Sequence, residues 1–302
     1  MRFTDSHVEQ WREEGFVLIP GFFHQEEIDP VLEDFTTLYH ERAQQDGIGE
    51  VLNKKRPGAI GASHAKQFTN IDIMPYNASK AINLISLHPA LIEFAQALLG
   101  VDKVHCYQSH TWAKFTGEAD YDQVFHCDFS NHTLTAPADD AALRTVDFVF
   151  YLTDVTEAHG ALHYVTKPDS NAILGEGAVF VPDHLQTAMK EKEQSAAAPA
   201  GSLLGHSIDT FHRGTNLDER NGRRFTMTVG YKAVGNDMIG FHVWQSSAER
   251  PWEMILNNAS PEQLEVIGVP LPGQPFWTER TLRLTRNRWP DWDMQPYFEA
   301  LA

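Results

Sequence analysis

The sequence predicts a mainly β fold, a jelly roll or barrel, with flanking α-helices. Helix-like apolar spacing dominates the first part of the chain. From Val104 onward, short β-rich runs recur at 104–115, 123–129, 145–153, 161–166, 177–181, 201–206 and 224–232. Turn-formers such as Thr116–Gly117, Ala158–Gly160 and Lys167–Asp169 separate these runs. Many short strands behind a helical preface fit two packed sheets rather than alternating βα units.

The elements follow in order. Ser6 and Glu9 have the spacing of a capping box, which starts a helix that Gly15 stops. Phe16–Ile19 reads as a short buried strand, ended by Pro20 and Gly21. Ile28, Val31, Leu32 and Phe35 recur at helical spacing and predict a helix over Glu26–Gln45. A further apolar helix runs from Pro89 to Leu99 and ends at Gly100. Within the β region, His184–Gly201 is polar and then Ala/Pro-rich, a short helix and loop that is a candidate lid. The tail from Gly235 carries Trp244, Trp252, Trp277, Trp289 and Trp292, a candidate pocket wall. These pieces read as one domain over 1–302: helical support at 1–103, a jelly-roll core at 104–232 and a C-terminal extension at 233–302.

Composition narrows the function. The formal charge is −17, from 24 basic and 41 acidic residues, so the surface repels phosphate backbones and anionic membranes. Nucleic acid is excluded as a partner, and a coenzyme A ester is a less attractive substrate than a free small molecule. Cys106 and Cys127 cannot build a disulfide framework or a zinc cluster. The opening residues lack an apolar signal region, and no apolar run reads as a membrane span; a cytoplasmic location without membrane insertion is expected. The glycosylation-type triplets at Asn77, Asn131 and Asn258 then carry no meaning.

Chemistry concentrates in VFHCDFSNHTL, residues 124–134. On an extended chain His126 and Asp128 share one face, and Phe125, Cys127 and Phe129 the other. An imidazole and a carboxylate converging on one point are two-thirds of a metal site. His212, in GSLLGHSIDTFHRGTN, is the best third ligand, at the end of an apolar strand; His206 shares its parity and is a rival. Two His and one carboxylate with open positions suit non-haem Fe(II), with O2 and a cosubstrate in the vacant positions. The next strand, NGRRFTMTVGYK, offers an arginine to clamp a carboxylate such as the distal one of 2-oxoglutarate. Alternation places Arg224, Thr226 and Thr228 on one face and Arg223 with Phe225, Met227 and Val229 on the other. Arg224 on the polar face is preferred to Arg223, with Thr226 beside it. Cys127 should face away from the metal and serve packing.

His126-x-Asp128, His212 and the following arginine together resemble the phytanoyl-CoA dioxygenase-like family of Fe(II)/2-oxoglutarate-dependent oxygenases. VEQWREEGFVLIPGFF resembles that family's N-terminal helix–strand signature, and DVTEAHGALHYVTKPDS its middle segment. Ala161 and Lys167–Asp169 depart from the family's usual small pieces there. The resemblance implies a double-stranded β-helix with the metal triad near one end of the barrel. It implies a cosubstrate or substrate contact at Gln108 and a 2-oxoglutarate contact at Thr133. Tyr107 and Lys114 are weaker candidates, and His110 and His132 are polar lining. With a carboxylate at Asp128, hydroxylation of a small-molecule substrate with release of succinate and CO2 is the expected reaction, with desaturation and ring closure as alternatives. The competing readings are a non-catalytic metal- or ligand-binding jelly roll, a zinc hydrolase, and a 2-oxoglutarate-dependent protein hydroxylase.

Overall fold

The computed structural model describes residues 2–43, 73–115, 122–129, 137–138, 140–220, 222–236, 252–267, 269–274 and 277–301. Helix α1 (Asp5–Glu14) leads into β1 (Phe16–Ile19). Its cap is Thr4 rather than Ser6: the Thr4 N–H donates to His7 Nδ1 at 3.2 Å, and the Ser6 hydroxyl turns back to Thr4 Oγ1 at 2.7 Å. The box therefore begins two residues earlier than the Ser6–Glu9 spacing suggested. Gly15 ends α1 at φ 87°, its N–H on Trp11 O at 2.9 Å, as expected. Helix α2 spans Gln25–Ala43, followed by α3 (Lys80–Ile85) and α4 (Pro89–Leu99). His88 caps α4 through Nδ1, and Gly100 closes it at φ 66°. Among the described residues, Lys80–Leu99 is the stretch long and apolar enough to cross a membrane, but it is two helices and mostly buried in the core.

The β region supplies β2 (Val104–Phe115), β3 (Thr145–Tyr151), β4 (Leu162–Tyr164), α5 (Lys167–Leu174), α6 (Gln186–Lys190), β5 (Gln194–Ser195), β6 (Leu203–Ser207), β7 (His212–Gly214) and β8 (Arg223–Ala233). The tail forms α7 (Glu253–Leu256), α8 (Pro261–Val266), α9 (Glu279–Arg288) and α10 (Gln295–Glu299). Two antiparallel sheets result, ordered β1-β6-β3-β8-β2 and β5-β4-β7. This is the expected jelly-roll architecture with flanking helices.

Period-2 alternation divides the larger sheet cleanly. Val146, Phe148, Phe150, Met227, Val229 and Tyr231 point outward into a core shared with the helices, where Trp11, Phe35 and Phe94 meet them. Full burial of each such aromatic contributes about 2–3 kcal/mol. The opposite face carries Asp147, Val149 and Tyr151 from β3 and Arg224 and Thr226 from β8. It faces the smaller sheet through a second apolar cluster that includes Phe16, Tyr151, Ala161 and Tyr164. The sheet thus packs apolar on its helix side and mixes polar and apolar groups on its inner side.

Several local expectations change. Residues 123–129 form no strand; His126 alone pairs, in an isolated bridge with His212. Gln186 replaces a ladder partner there, accepting from Phe125 N–H at 2.8 Å and donating to Phe125 O at 3.2 Å. Residues 177–181 are not a strand either. Gly175 and Gly177 take φ 89° and 76°, and side chains use the backbone carbonyls: Val179 O accepts from Cys127 Sγ. Lys167–Asp169 is a helix start rather than a turn, because Thr166 Oγ1 caps the Asp169 N–H at 3.2 Å and Pro168 suits the first turn. The 184–201 segment is tied down through Gln186 and Glu193 rather than lid-like. The described tail residues Ile255, Leu264, Trp277, Trp292 and Tyr297 join the outer core with the helices, away from the inner face. Thr116, Gly117, Asn131, His132, Thr133 and Trp244 lie outside the described residues.

Candidate metal centre

The bridge between His126 and His212 builds the centre. Each residue's N–H donates to the other's carbonyl, at 3.0 and 2.8 Å, and this sets their rings side by side with centroids 4.6 Å apart. Asp128, two residues on from His126, comes round to the same point, with Oδ2 at 3.8 Å from His212 Nε2. One ligand atom from each of His126, Asp128 and His212 lies within 4.8 Å of the others. Phe125, Cys127 and Phe129 turn the other way into a separate buried cluster, as alternation required. The Cys127 thiol is pushed up to about 12 by burial, which makes it packing rather than chemistry.

The imidazoles are oriented by their own backbone. His212 Nδ1 lies 3.0 Å from Thr210 O, and His126 Nδ1 lies 3.0 Å from Val124 O. A carbonyl can only accept, so each Nδ1 carries the proton and each Nε2 presents a lone pair to the shared point. Burial, with His126 nearby, pulls His212 down to about 4, so it is neutral as a ligand must be. Tyr164 stacks on the His212 ring at 5.3 Å and fixes its plane.

A brace from 184–201 reaches both ligand segments. Gln186 brackets Phe125, the residue before His126. Glu193 accepts from Arg213, the residue after His212, at 2.7 and 2.9 Å. The candidate lid thus holds the backbone beside His126 and the side chain beside His212.

His206, the rival ligand, is not in the triad. Its ring lies 5.2 Å from that of His212, but Nδ1 pairs with Tyr164 Oη at 3.2 Å. Burial, with His212 beside it, lowers it to about 3. Its Nε2 is buried and has no hydrogen-bond partner among the described residues.

Arg224 and Arg223 separate as the alternation predicted. Arg223 is exposed, its guanidinium over the Phe225 ring at 5.3 Å. Arg224 is 4% exposed and points inward. Its Nη1 donates to Gly160 O, and its Nε is buried with no partner. No carboxylate pairs with it among the described residues. Burial lowers its pKa to about 10. Lys114 stands in register beside it on β2, with Nζ donating to Thr215 O at 2.7 Å. Thr226 follows on the same face, 4% exposed and paired in register with Trp112 and Tyr151. Gln108 is also inward and buried, but its amide donates to Asp147.

Asp147 is the inner residue that sequence reasoning missed. The available signal was one acidic residue inside the otherwise apolar run TVDFVFY.

Residues 11–224 match the phytanoyl-CoA dioxygenase (PhyH) family. The chain belongs to that family. No curated protein matches the sequence. Among solved structures, it is similar to the non-heme alpha ketoglutarate dependent carbocyclase SnoK from nogalamycin biosynthesis, with a TM-score of 0.56 at 16% identity, over 76% of this chain and 84% of that one. The epimerase SnoN, in complex with Fe3+, alpha ketoglutarate and nogalamycin RO, gives 0.53 at 14% identity over 76% and 83%. EvdO2 from Micromonospora carbonacea var. aurantiaca, complexed with 2-oxoglutarate, gives 0.52 at 14% identity over 76% and 90%. These likenesses support the fold, and the family match places the chain among Fe/2-oxoglutarate enzymes.

Proposed function

We propose that the protein is an Fe(II)- and 2-oxoglutarate-dependent dioxygenase that hydroxylates an unactivated C–H bond of a small organic molecule, releasing succinate and CO2. Arg224 carries this reading. A buried guanidinium with an orphaned Nε and no carboxylate partner among the described residues, inside a barrel that also holds a two-His, one-Asp set, asks for a carboxylate ligand. Neither a zinc hydrolase nor a structural ion site needs that cation.

His126, Asp128 and His212 would hold Fe(II), and the iron with 2-oxoglutarate and O2 would supply the oxidising chemistry. The chain's residues bind and orient. The Nε2 atoms of both histidines and the Asp128 carboxylate would be the groups that hold the metal. Arg224 reads the distal carboxylate of the cosubstrate, with Thr226 adding a hydroxyl beside it. Phe16, Val149, Tyr151 and Tyr164 line the barrel with apolar surface and exclude water. With a carboxylate at Asp128 the chain would supply a third protein ligand where a halogenase would leave room for halide, which favours hydroxylation over halogenation. Gln108, next to the triad end of the sheet, is assigned to the substrate side, and Thr133 remains a cosubstrate candidate from the sequence.

The test is turnover of 2-oxoglutarate by the Fe(II)-loaded chain in air without added substrate. Slow succinate formation is expected, lost in His126→Ala. A folded, metal-loaded protein that neither binds 2-oxoglutarate nor forms succinate would sink the proposal.

A further inference from the structure

Register on the inner face of the large sheet aligns His206 with Asp147, Asp147 with Gly230 and Gly230 with Gln108. This polar row passes beside the triad, with the His206 ring 5.2 Å from that of His212. Arg224 lies 230 − 224 = 6 residues further along β8, about 20 Å of strand away. The inner face is therefore charge-polarised, with cations at one end and a carboxylate at the other.

Asp147 is 2% exposed. Tyr107 Oη donates to its Oδ2 at 2.6 Å, Gln108 Nε2 donates to its Oδ1, and Thr145 Oγ1 is a distant donor at 3.4 Å. The carboxylate is drawn over Gly230, where a Cβ would sit 2.5 Å from Oδ1 and 2.7 Å from both Gln108 Cγ and Tyr107 Cε1. No cation pairs with it among the described residues. A carboxylate has about four acceptor sites, so two close donors leave capacity for more. Its hydrogen-bond partners are neutral, so a negative charge on Asp147 is left uncompensated in the interior, and a cationic ligand would relieve it. Beside it His206 Nε2 is a buried polar atom without a hydrogen-bond partner among the described residues. Both features point to a ligand on this side of the metal.

We propose that Asp147, positioned by Tyr107 and Gln108, anchors the organic substrate, and that the group it takes is a protonated amine. The proposal rests on the Fe(II)/2-oxoglutarate reading and adds the substrate class. The cosubstrate's anionic end goes to Arg224 and the substrate's cationic end to Asp147, so the two cannot exchange places. That separation orients the substrate's remaining carbon skeleton across the metal.

The test uses the full chain loaded anaerobically with Fe(II) and 2-oxoglutarate, and three probes of one size: cyclohexylamine, cyclohexanol and cyclohexanecarboxylate. Ligand-detected NMR gives their affinities. The amine is expected to bind at least about ten-fold more tightly than the alcohol, and the carboxylate more weakly than either. In Asp147→Asn the amine's advantage should shrink to within about two-fold, with the 2-oxoglutarate absorption band unchanged. Tyr107→Phe and Gln108→Leu keep the carboxylate but strip its positioning donors, and should each weaken amine binding by about three-fold or more. They decide the matter if Asp147→Asn does not fold. Equal affinities, no amine binding, or an amine preference that survives in Asp147→Asn or in both donor variants would overturn the anchor. Loss of the 2-oxoglutarate band in the unmutated protein would instead count against the underlying oxygenase reading.

Discussion

Replacing Arg224 with Met should move stability and cosubstrate binding in opposite directions. The guanidinium is buried, bonded to Gly160 O through Nη1 and, among the described residues, unpaired at Nε. Its pKa falls from 12.5 to about 10 by burial. That depression corresponds to about 3 kcal/mol spent keeping the cation charged out of water. Met fills a similar volume without the charge. It forfeits one hydrogen bond and leaves the Gly160 carbonyl to find another donor, a loss of about 1–3 kcal/mol. The two effects nearly cancel, so the melting temperature of metal-free Arg224→Met should stay within a few degrees of the parent or rise, at roughly 2–4 °C per kcal/mol. Binding behaves differently. Two charge-assisted bonds to a desolvated carboxylate are worth about 2–5 kcal/mol, or roughly 30- to 5,000-fold in Kd for 2-oxoglutarate. Thermal melting and an anaerobic cosubstrate titration measure the two quantities on one preparation. Arg223→Met, at the exposed position, serves as the control and should change neither. An Arg224→Met protein that binds 2-oxoglutarate as tightly as the parent would refute the clamp. One that unfolds would show that the arginine is structural instead.

Other expectations follow from the same geometry. Gln186→Ala or Glu193→Ala should lower metal affinity about ten-fold through loss of the brace, with the fold intact by circular dichroism; unchanged affinity in a chelator competition would contradict the bracing role. Asp147 makes metal-free stability pH-dependent: burial raises its carboxyl from 3.8 to about 7, with Asp128 adding repulsion, so the folded state holds an extra proton between those values. The stability contribution of this group therefore falls as pH rises from about 4 to 7, by about 4 kcal/mol, and levels off above. The difference in unfolding free energy between the parent and Asp147→Asn should trace that slope, and a pH-independent difference would count against it. Gly160→Ala should destabilise by more than about 2 kcal/mol in denaturant melts, because Gly160 sits at φ +74° and a Cβ would lie 2.5 Å from Thr215 O. A neutral result there would mean that the turn carrying the Arg224 acceptor can relax.

The site was legible where chemistry overrode local structure. His126 and Asp128 show as polar residues alternating with Phe125, Cys127 and Phe129, and that pattern survives although the segment forms one bridge rather than a strand. Helix ends at Gly15 and Gly100 were readable because only glycine takes their positive φ cheaply. What escaped the sequence depended on tertiary partners. The Gln186 bracket around Phe125 and the turn at Gly175–Gly177 replaced expected strands. Thr166 converted an apparent turn at Lys167–Asp169 into a helix start. Asp147 was hidden because one acid in an apolar strand acquires meaning only when β2 brings Tyr107 and Gln108 against it. The aromatic tail reads the same in sequence whether it lines a pocket or packs on the helices. Its described part packs on the helices.

The central claim is tested most directly by visible absorption during an anaerobic titration of the metal-free protein with Fe(II) and 2-oxoglutarate. A charge-transfer band that saturates with both components, disappears in His126→Ala and needs far more 2-oxoglutarate in Arg224→Met is the predicted result. A folded protein that takes up Fe(II) but develops no band at saturating 2-oxoglutarate would contradict the account.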